Sequence, residues 1–425
     1  MRLTITSRLT IFSAATLLTA WAQTGPEHWV VTWATSAQIY RAPAPLVPPS
    51  PTPPPVVNPN TPARPRPPQL FNNQTVRMIV HTSVGGKRLR LQLTNPFGGG
   101  VVEVGAAHVG LREQDSSIVT GSDRVLTVSG SKTFRMIPGE TLISDPVDLE
   151  FAPLADLAVS LFFPAPTGPL ASHGTALHTT YISAEGDFTA QASIPEPTTT
   201  AAYYWISAVD VVAPADAAAI VTLGDSITDG TASTVNQDHS WPARLAARLQ
   251  ANKATANIGV ANEGISGNRI LMDGSGAAAL ARLDHDVLLQ TGAKWVMVLE
   301  GINDIGNQAR VNTGLTSADL IAGLRQIVDR AHLAGLKVIG CTLTPYQGAG
   351  YYSDAGEAMR ETENDFIRSS GVFDAVVDFD AAVRDPMNTK QYRAEMQSGD
   401  HLHPSDAGYQ AMADAVDLGI FAGKK

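Results

Sequence analysis

A serine near the middle of the chain has the surroundings that a nucleophile needs. Ser226 ends the tripeptide Gly224-Asp225-Ser226, which follows an apolar, β-branched run at 219–223. Such a run is typical of a buried strand, and a glycine after it permits a sharp turn. The serine is therefore expected at the carboxyl edge of a sheet, where α/β proteins carry their sites. Because a serine hydroxyl attacks a carbonyl only when a base takes its proton, the chain must also supply a base.

A histidine and an aspartate near the end of the sequence could serve this serine. Asp400 precedes His403 by three residues in the polar segment 398–404, just before the last predicted helix. A carboxylate at this spacing can reach Nδ1 of the imidazole within one loop turn and leave Nε2 to face Ser226. That is the arrangement of base and orienting acid that acyl transfer uses. His401 is the rival base, but it is adjacent to Asp400, so its side chain should point away from the same pocket.

Two further polar segments, 262–269 and 300–304, follow predicted strands and could stabilise an oxyanion. A backbone N–H in a glycine-lined turn and an asparagine side-chain amide are the donor types that form an oxyanion hole. The first segment offers Gly264 and Gly267, which compete because both lie in one turn. The second segment offers Asn303. The sequence therefore contains candidates for every part of an acyl-transfer site.

Other polar residues of these segments are expected to support the site. Asp225 and Asp304 are predicted to brace loops by hydrogen bonds, and Asp229 and Asn268 are candidates for the site wall. Cys341 is the single cysteine and lies in an apolar run, so it is predicted to be a buried core residue and no intrachain disulfide can form. No His-x-x-x-His or paired-cysteine spacing suggests a metal, and the sequence predicts no metal and no cofactor.

The second half of the chain has the alternating elements that would position these residues. Strands are predicted at 219–223, 256–261, 295–301, 337–343 and 375–379. Helices are predicted at 241–250, 277–290, 318–334, 353–368 and 406–421. This alternation predicts an α/β fold with a flavodoxin-like, doubly wound parallel sheet of five strands.

The first half is β-rich instead. Runs of alternating or apolar residues, separated by Gly, Pro, Asn or Asp, predict strands near residue 29 and at 75–81, 88–93, 101–111, 118–128, 141–149 and 157–162. Several short strands at turn-sized intervals favour an all-β sandwich or jelly-roll-like domain. The predicted organisation is a signal peptide at 1–22, a β-rich accessory domain at 23–210 and a catalytic domain at 211–425.

Two segments near the start have a composition of their own. Arg2 and Arg8 precede a short apolar stretch, and Ala20-Trp21-Ala22 fits a small-x-small cleavage site, so a secretory signal is predicted, with an uncleaved N-terminal anchor as the alternative. Residues 42–68 hold 13 of the 28 prolines and are predicted to form an extended surface loop. This loop is interpreted as a solvated insertion between strands, with a substrate-facing flap or partner ligand as the alternative.

Composition limits the classes of function. The 425 residues suffice for two domains, and 44% hydrophobic with 16% charged residues excludes a disordered chain. A formal net charge of -10 argues against nucleic acid or an anionic membrane as partner. The expected location is secreted or periplasmic, with no membrane attachment after signal cleavage. The oligomeric state is not predicted.

The four polar blocks resemble those of the SGNH, or GDSL-type, hydrolases. The family order is Gly224-Asp225-Ser226, a block around Gly267, then 301–304 and finally 400–404, and the chain has all four in this order. One block alone would be a weak signal, but four in order are specific. The resemblance extends from about residue 211 to the C-terminus, and the β-rich half is more loosely similar to a secreted bacterial subgroup.

The resemblance implies a role for each residue of the site. Ser226 is the implied nucleophile, His403 the base and Asp400 the orienting acid. The implied oxyanion donors are the backbone N–H groups of Ser226 and Gly267 and the side chain of Asn303. The expected function is an exported serine carboxylester hydrolase acting on a small-molecule or glycan ester, such as an acetyl, carbohydrate or aryl ester.

Two other functions remain open on the sequence. The first is a non-catalytic module, in which the β-rich half binds glycan and the second half is an inert scaffold. The second keeps the enzyme but changes the substrate to a lipid or thioester. The intact set of Ser226, Asn303 and His403 favours an active enzyme. Because all four blocks lie in the second half, the sequence predicts that the chemistry belongs wholly to it.

Overall fold

A computed structural model of the chain describes residues 27–38, 70–168, 170–311 and 314–422. The predicted signal peptide and the predicted proline-rich loop lie outside these described residues. Among the helices in the described ranges, none is both long and apolar enough to cross a membrane.

The first half of the described chain is built from short strands. In chain order they are β1 (Trp29–Ala34), β2 (Gln74–His81), β3 (Gly86–Thr94), β4 (Val102–Val104), β5 (Ala106–Leu111), β6 (Arg124–Val125), β7 (Phe134–Met136), β8 (Thr141–Ile143), β9 (Val147–Phe151), β10 (Asp156–Phe163), β11 (Ser172–His173), β12 (Thr180–Glu185), β13 (Thr198–Thr200), β14 (Tyr203–Tyr204) and β15 (Ile206–Val212).

Two antiparallel sheets form the body of this half. One has the order β1-β15-β3-β8, with β9 also paired to β3, and the other has the order β13-β12-β2-β10-β5-β6. Alternate residues of β3, such as Leu89 and Leu91, are buried in one apolar core with Val76 and Met78 of β2. Side chains from both sheets thus share one core, which confirms the predicted sandwich.

Several predicted strands differ from those observed. The run predicted at 101–111 is divided at Gly105, where a Cβ would lie 2.9 Å from the Phe162 ring. The run predicted at 118–128 is a strand only at β6, because Gly121 adopts a left-handed conformation (φ 81°) and turns the chain. No strand was predicted at β7 or at β11 to β15, although β15 lies between β1 and β3.

The second half contains the parallel sheet and its helices. The strands are β16 (Ala218–Gly224), β17 (Ile258–Gly264), β18 (Ala293–Leu299), β19 (Lys337–Cys341) and β20 (Ala375–Val377). The helices are α1 (Ser226–Asp229), α2 (Trp241–Ala251), α3 (Ala279–Leu283), α4 (Ile302–Val311), α5 (Ser317–Leu333), α6 (Asp354–Ser369), α7 (Phe379–Val383) and α8 (Asp406–Asp414).

The order of the strands confirms the predicted fold. The sheet runs β17-β16-β18-β19-β20 and every pair is parallel, which is the flavodoxin-like order 2-1-3-4-5. The chain reverses its direction of winding between β16 and β18. Ligands of such sheets bind at the carboxyl ends of these strands, and the segments that follow β16 and β18 are those that carry Ser226 and Asn303.

Three helices differ from their predictions. The helix predicted at 277–290 is α3 followed by a π-helical turn, and the one predicted at 406–421 ends at Asp414. Helix α4 starts within the segment 300–304, which the sequence predicts to be a loop because Gly301 and Asn303 are typical turn residues. Gly301 does turn the chain, with φ 131°, but Ile302 starts a helix directly after it and packs into the core.

Strand β1 joins the two halves. It pairs with β15 in the sandwich, whereas its Val30 and Val31 belong to the core of the parallel-sheet half. The backbone N–H of Val31 donates to Thr291 O at 2.9 Å, and a Cβ on Gly259 of β17 would lie 2.5 Å from Val31 O. The halves therefore pack backbone against backbone. The division at residue 211 stays a prediction.

Candidate active site

Ser226 lies at the first turn of α1, directly after the central strand β16. Asp225 caps this helix by accepting a hydrogen bond from the Ile227 N–H at 2.9 Å. Gly224 is required by close packing, because a Cβ there would lie 2.2 Å from Thr228 Oγ1 and 2.5 Å from Leu299 O. The strand end and the cap thus fix the serine, of which 6% is exposed.

The structure brings Ser226, His403 and Asp400 together. His403 Nε2 lies 2.8 Å from Ser226 Oγ, and His403 Nδ1 lies 2.6 Å from Asp400 Oδ2. Asp400 Oδ1 also accepts hydrogen bonds from the backbone N–H groups of Leu402 and His403, each at 2.9 Å. The Asp400 carboxylate therefore also fixes the conformation of the short loop that joins it to His403.

The protonation of this group follows from Asp400. Burial raises the pKa of its carboxyl, but the hydrogen bonds from His403 and from the backbone outweigh that effect and hold the pKa well below its usual range. An ionised carboxylate only accepts, so His403 Nδ1 must donate to it. In the neutral ring Nε2 is then an acceptor for the Ser226 hydroxyl, which is the orientation a general base requires.

His401 lies elsewhere on the same loop. It is exposed, it has a left-handed backbone (φ 62°), and its ring lies against Gly348, where a Cβ would come within 2.9 Å of His401 Cγ. Its backbone N–H donates to Gln397 Oε1 at 3.3 Å. The geometry therefore places His403, and not His401, beside the serine.

The turn that contains Gly267 is fixed on both sides. Gly267 itself is left-handed (φ 81°), and a Cβ there would lie 2.5 Å from Ser275 Oγ. On one side Ser266 donates its backbone N–H and its hydroxyl to Asp229 Oδ2, at 2.9 and 2.6 Å. On the other side Asn268 Nδ2 donates to Ala277 O at 2.8 Å. Asp229 and Asn268 thus position the turn, a role the sequence did not assign to them.

The rival glycine of this turn is differently placed. Gly264 ends β17, and its N–H donates to Asn262 Oδ1 at 3.0 Å. A Cβ on Gly264 would lie 2.2 Å from Asp229 N, so this glycine is needed for the close contact between β17 and α1. Because its N–H already has a partner, Gly264 is the weaker candidate for an oxyanion donor.

Asn303 offers a free amide. It lies in the first turn of α4, it is 5% exposed, and its Nδ2 has no hydrogen-bond partner among the described residues. Its Oδ1 accepts a hydrogen bond from the Tyr351 hydroxyl at 3.4 Å. The neighbouring Asp304 accepts from the Ile270 N–H at 2.8 Å, which links α4 to the Gly267 turn and matches its predicted bracing role.

Buried carboxyl groups lie beneath the site. Burial raises the pKa of Asp225 to about 7 and that of Asp304 to about 6. Burial also raises the pKa values of Glu300 and Glu363 well above the usual range, and neither has a hydrogen-bond partner among the described residues. These groups thus hold their protons to higher pH than usual, which lessens the negative charge near the position of an oxyanion.

One residue that supports the Gly267 turn comes from the β-rich half, and sequence reasoning missed it. His173 lies in β11. Its Nε2 is 3.0 Å from Asp229 Oδ1, and its Nδ1 is 2.9 Å from Ser36 O. Thr175 Oγ1 lies 3.2 Å from Ser266 Oγ. The β-rich half therefore supports the Gly267 turn, a contact left out by the expectation that the second half works alone. No motif surrounds His173 that could have revealed it.

Cys341 and the one cluster of possible metal ligands among the described residues lie away from the serine site. Cys341 is buried in β19 and burial raises its thiol pKa, which confirms the predicted core position. Among the described residues, ligand-type side chains converge at His81, Asp156 and Asp238, and none of these belongs to the serine site.

The match to a family model identifies the class of the protein. Residues 220–416 match the model described as GDSL-like lipase/acylhydrolase. The second half of the chain is therefore a GDSL-type acylhydrolase domain, and the protein is a carboxylic ester hydrolase.

Solved structures similar to the chain include two enzymes. Axe2, an acetylxylan esterase from Geobacillus stearothermophilus, is 24% identical, with a TM-score of 0.38 and coverage of 49% of this chain and 95% of Axe2. LAE5, an α/β hydrolase enzyme from the metagenome of Lake Arreo, Spain, is 23% identical, with a TM-score of 0.39 and coverage of 49% of this chain and 98% of LAE5. No curated protein matches the sequence.

Proposed function

We propose that the protein is a serine carboxylester hydrolase that works by double displacement through Ser226, His403 and Asp400. The observation that carries the proposal is the unbroken series of contacts from Asp400 Oδ2 through His403 to Ser226 Oγ, at 2.6 and 2.8 Å. Such a series is the arrangement that acyl transfer needs, whatever the fold around it.

The first half-reaction transfers the acyl group to the serine. His403 Nε2 takes the hydroxyl proton while Ser226 Oγ attacks the ester carbonyl. The tetrahedral oxyanion accepts hydrogen bonds from the N–H groups of Ser226 and Gly267 and from Asn303 Nδ2. Asp400 stabilises the imidazolium that forms. His403 then gives its proton to the leaving alcohol, which yields an acyl-serine.

The second half-reaction releases the acid. A water molecule takes the place of the alcohol, and His403 Nε2 removes its proton as it attacks the acyl-serine carbonyl. The same donors hold the second oxyanion, and His403 returns the proton to Ser226 Oγ. This sequence of steps needs no metal or cofactor.

We propose small acyl esters of polar or aryl alcohols as the substrates, including carbohydrate esters. The hydroxyl groups of Thr231, Ser266 and Thr175 beside the Gly267 turn support a polar alcohol part; Thr231 Oγ1 and Ser266 Oγ are 2.8 Å apart. Values of kcat/KM for acetylated sugars, aryl acetates and longer acyl esters test the preference. Higher values for long acyl chains or thioesters would favour the lipase or thioesterase alternative.

A nitrophenyl acetate assay tests the proposal that Ser226 carries the hydrolysis. Hydrolysis by the wild type must exceed that of the Ser226→Ala variant under the same conditions. Equal rates would favour the alternative of a glycan-binding module on an inert scaffold. A glycan-binding measurement on both proteins then separates this module from an enzyme whose substrate was absent from the panel.

We also propose export, to the periplasm or the medium. The support is the sequence pattern alone: Arg2 and Arg8, the apolar stretch after them, and Ala20-Trp21-Ala22. The N-terminal sequence of the protein recovered from an expressing bacterium tests this. A start at residue 23 in the periplasm or medium supports it, and an intact start in the cytoplasm or membrane contradicts it.

A further inference from the structure

A second cluster of polar side chains lies where the two halves meet, apart from the serine site. His81 ends β2, Asp156 begins β10, and Asp238 lies between α1 and α2. His81 Nδ1 is 2.7 Å from Asp156 Oδ1 and 3.3 Å from Asp238 Oδ2. One nitrogen and two carboxylate oxygens, taken from three segments, thus lie within 4.8 Å of one another.

The outer oxygen of each carboxylate is held by a donor of its own. Arg112 Nη1 lies 2.8 Å from Asp156 Oδ2, and His178 Nε2 lies 2.8 Å from Asp238 Oδ1. These contacts orient both carboxylates so that their inner oxygens, Oδ1 of Asp156 and Oδ2 of Asp238, face His81 Nδ1. Metal-binding carboxylates and imidazoles are oriented by such outer hydrogen bonds.

Strand pairing and backbone hydrogen bonds hold the three side chains close together. His81 and Asp156 are paired directly across β2 and β10. Asp238 lies on a loop that is tied to the β-rich half, because Asn236 N–H donates to Leu177 O and the Thr179 N–H donates to Asn236 Oδ1, each at 2.8 Å. The third ligand therefore comes from the catalytic half to a pair that the sandwich has already fixed.

The side chain of His178 gives independent support for a ligand at this cluster. It is 5% exposed, and its Nδ1 is buried with no hydrogen-bond partner among the described residues. Its ring stacks on that of His81, with centroids 6.3 Å apart and planes 13° apart. His81, His178 and Asp238 all line a cavity of about 90 Å³ between the halves, which is large enough for an ion with bound water.

The charges of the cluster favour a cation. Asp156 is balanced by Arg112, whereas Asp238 shares His81 Nδ1 with Asp156 and has His178 as its other partner. One imidazole nitrogen and two carboxylate oxygens are a ligand set that suits zinc and similar divalent metals. Three protein ligands with a cavity beside them leave a fourth position for water.

We infer that His81, Asp156 and Asp238 form a binding site for a divalent transition-metal cation, with zinc as the expected ion. The metal takes the position of the proton on His81 Nδ1, and that proton leaves when the metal binds. The site ties the loop of Asp238 to the β-rich half. Sequence spacing could not reveal it, because 74 and 81 residues separate consecutive ligands.

Zinc titration of the full chain tests the inference. The protein, free of any histidine tag and treated with a chelator that is then removed, is titrated with zinc chloride in a calorimeter. We expect one zinc per chain and a higher melting temperature with zinc than without. His81→Gln and Asp238→Asn should weaken binding by about tenfold or more.

A matched control comes from the same sandwich. His108 and Asp123 form another His–Asp pair, at 2.9 Å, in which no third ligand joins them among the described residues. Asp123→Asn should leave zinc affinity unchanged. Zinc affinity that is equal in the wild type and Asp238→Asn, or that falls as much in Asp123→Asn, would overturn the proposal, as would no binding to the wild type.

The absorption of cobalt(II) covers the case in which a variant does not fold. The wild-type protein loaded with cobalt should show d–d bands of a four-coordinate N/O site, which one equivalent of zinc removes. A spectrum like that of cobalt in buffer would show that a proton alone occupies the space, and the inference would be wrong. Activity on nitrophenyl acetate serves to check folding, since none of the three ligands belongs to the serine site.

Discussion

Two histidine–aspartate pairs flank the short helix α1, and they have opposite roles. In His403–Asp400 one ring nitrogen faces the carboxylate and the other faces the Ser226 hydroxyl. In His173–Asp229 one nitrogen faces the carboxylate and the other a backbone carbonyl, Ser36 O. A hydroxyl can donate, whereas a carbonyl cannot.

This difference decides the charge of each ring. His403 can stay neutral and accept a proton, because Ser226 supplies the hydrogen of their contact. Both partners of His173 only accept, so both of its nitrogens must donate and the ring must be an imidazolium. Burial lowers the pKa of His173, but the charge and hydrogen bond of Asp229 outweigh burial and raise it. The same pair of residue types thus yields a base in one place and a fixed charge in the other.

The largest expected effect tests the base. Ser226→Ala and His403→Ala should each lower kcat on nitrophenyl acetate by about 10^4-fold or more, because each removes an indispensable part of the proton transfer. Circular dichroism should show a folded protein, since the hydrogen bond that Ser226 Oγ makes among the described residues is the one to His403. His401→Ala is the matched control and should keep most of the activity. If His401→Ala were the more damaging change, the base would be misassigned.

Asp400→Asn should have the next largest effect. The variant keeps Oδ1, so the backbone bonds that close the loop are retained, but an amide N–H now faces His403 Nδ1. The ring then accepts there and carries its proton on Nε2, which cannot take a proton from Ser226. We expect a loss of about 10^2- to 10^4-fold in kcat. Unchanged kcat would show that Asp400 does not orient the base.

Sequence analysis could predict the first pair but not the second. Asp400 and His403 are three residues apart, so a local loop explains their contact. Asp229 and His173 are 56 residues apart, and they meet only because β11 of the β-rich half packs against the Gly267 turn. The same limit applies to β15, because its place between β1 and β3 depends on partners that are distant in the sequence.

Local rules also failed where tertiary packing overrode them. Gly301 and Asn303 are turn residues by propensity, yet α4 starts there because Ile302 and Ile305 are buried in the core. The parallel sheet was predicted correctly, since each of its strands contains a short apolar run that can be recognised without its partners. Three of the four blocks of the candidate serine site were predictable for the same reason, since they follow β16, β17 and β18, whereas the block at 400–404 was predicted from the three-residue spacing of Asp400 and His403.

His173→Gln tests the second pair and should act on stability more than on chemistry. The change leaves Asp229 buried, 3% exposed, without its cation, and we expect the free energy of unfolding to fall by about 3 kcal/mol. Because Asp229 holds Ser266 beside Gly267, kcat should fall by about tenfold with little change in KM. His108→Gln, which alters a His–Asp pair remote from the turn, should change kcat little. An unaltered kcat in His173→Gln would limit the β-rich half to a structural role.

The smallest expected effect is the pH dependence of that stability difference. The folded-state pKa of His173 is raised above its unfolded value near 6.5, so the folded chain binds this proton more tightly than the unfolded chain does. The stability it contributes is fully present below about pH 6.5 and is lost as pH rises through the folded-state pKa. The groups that face His173 are Asp229, the backbone of Ser36 and Thr175, and the Tyr203 ring at 6.4 Å.

Urea unfolding of wild type and His173→Gln at pH 5.5, 7 and 8.5 measures the difference in the free energy of unfolding, which should be largest at pH 5.5 and smallest at pH 8.5. A difference that stays constant or grows with pH would mean that His173 is neutral in the folded protein, and the contrast between the two pairs would no longer hold.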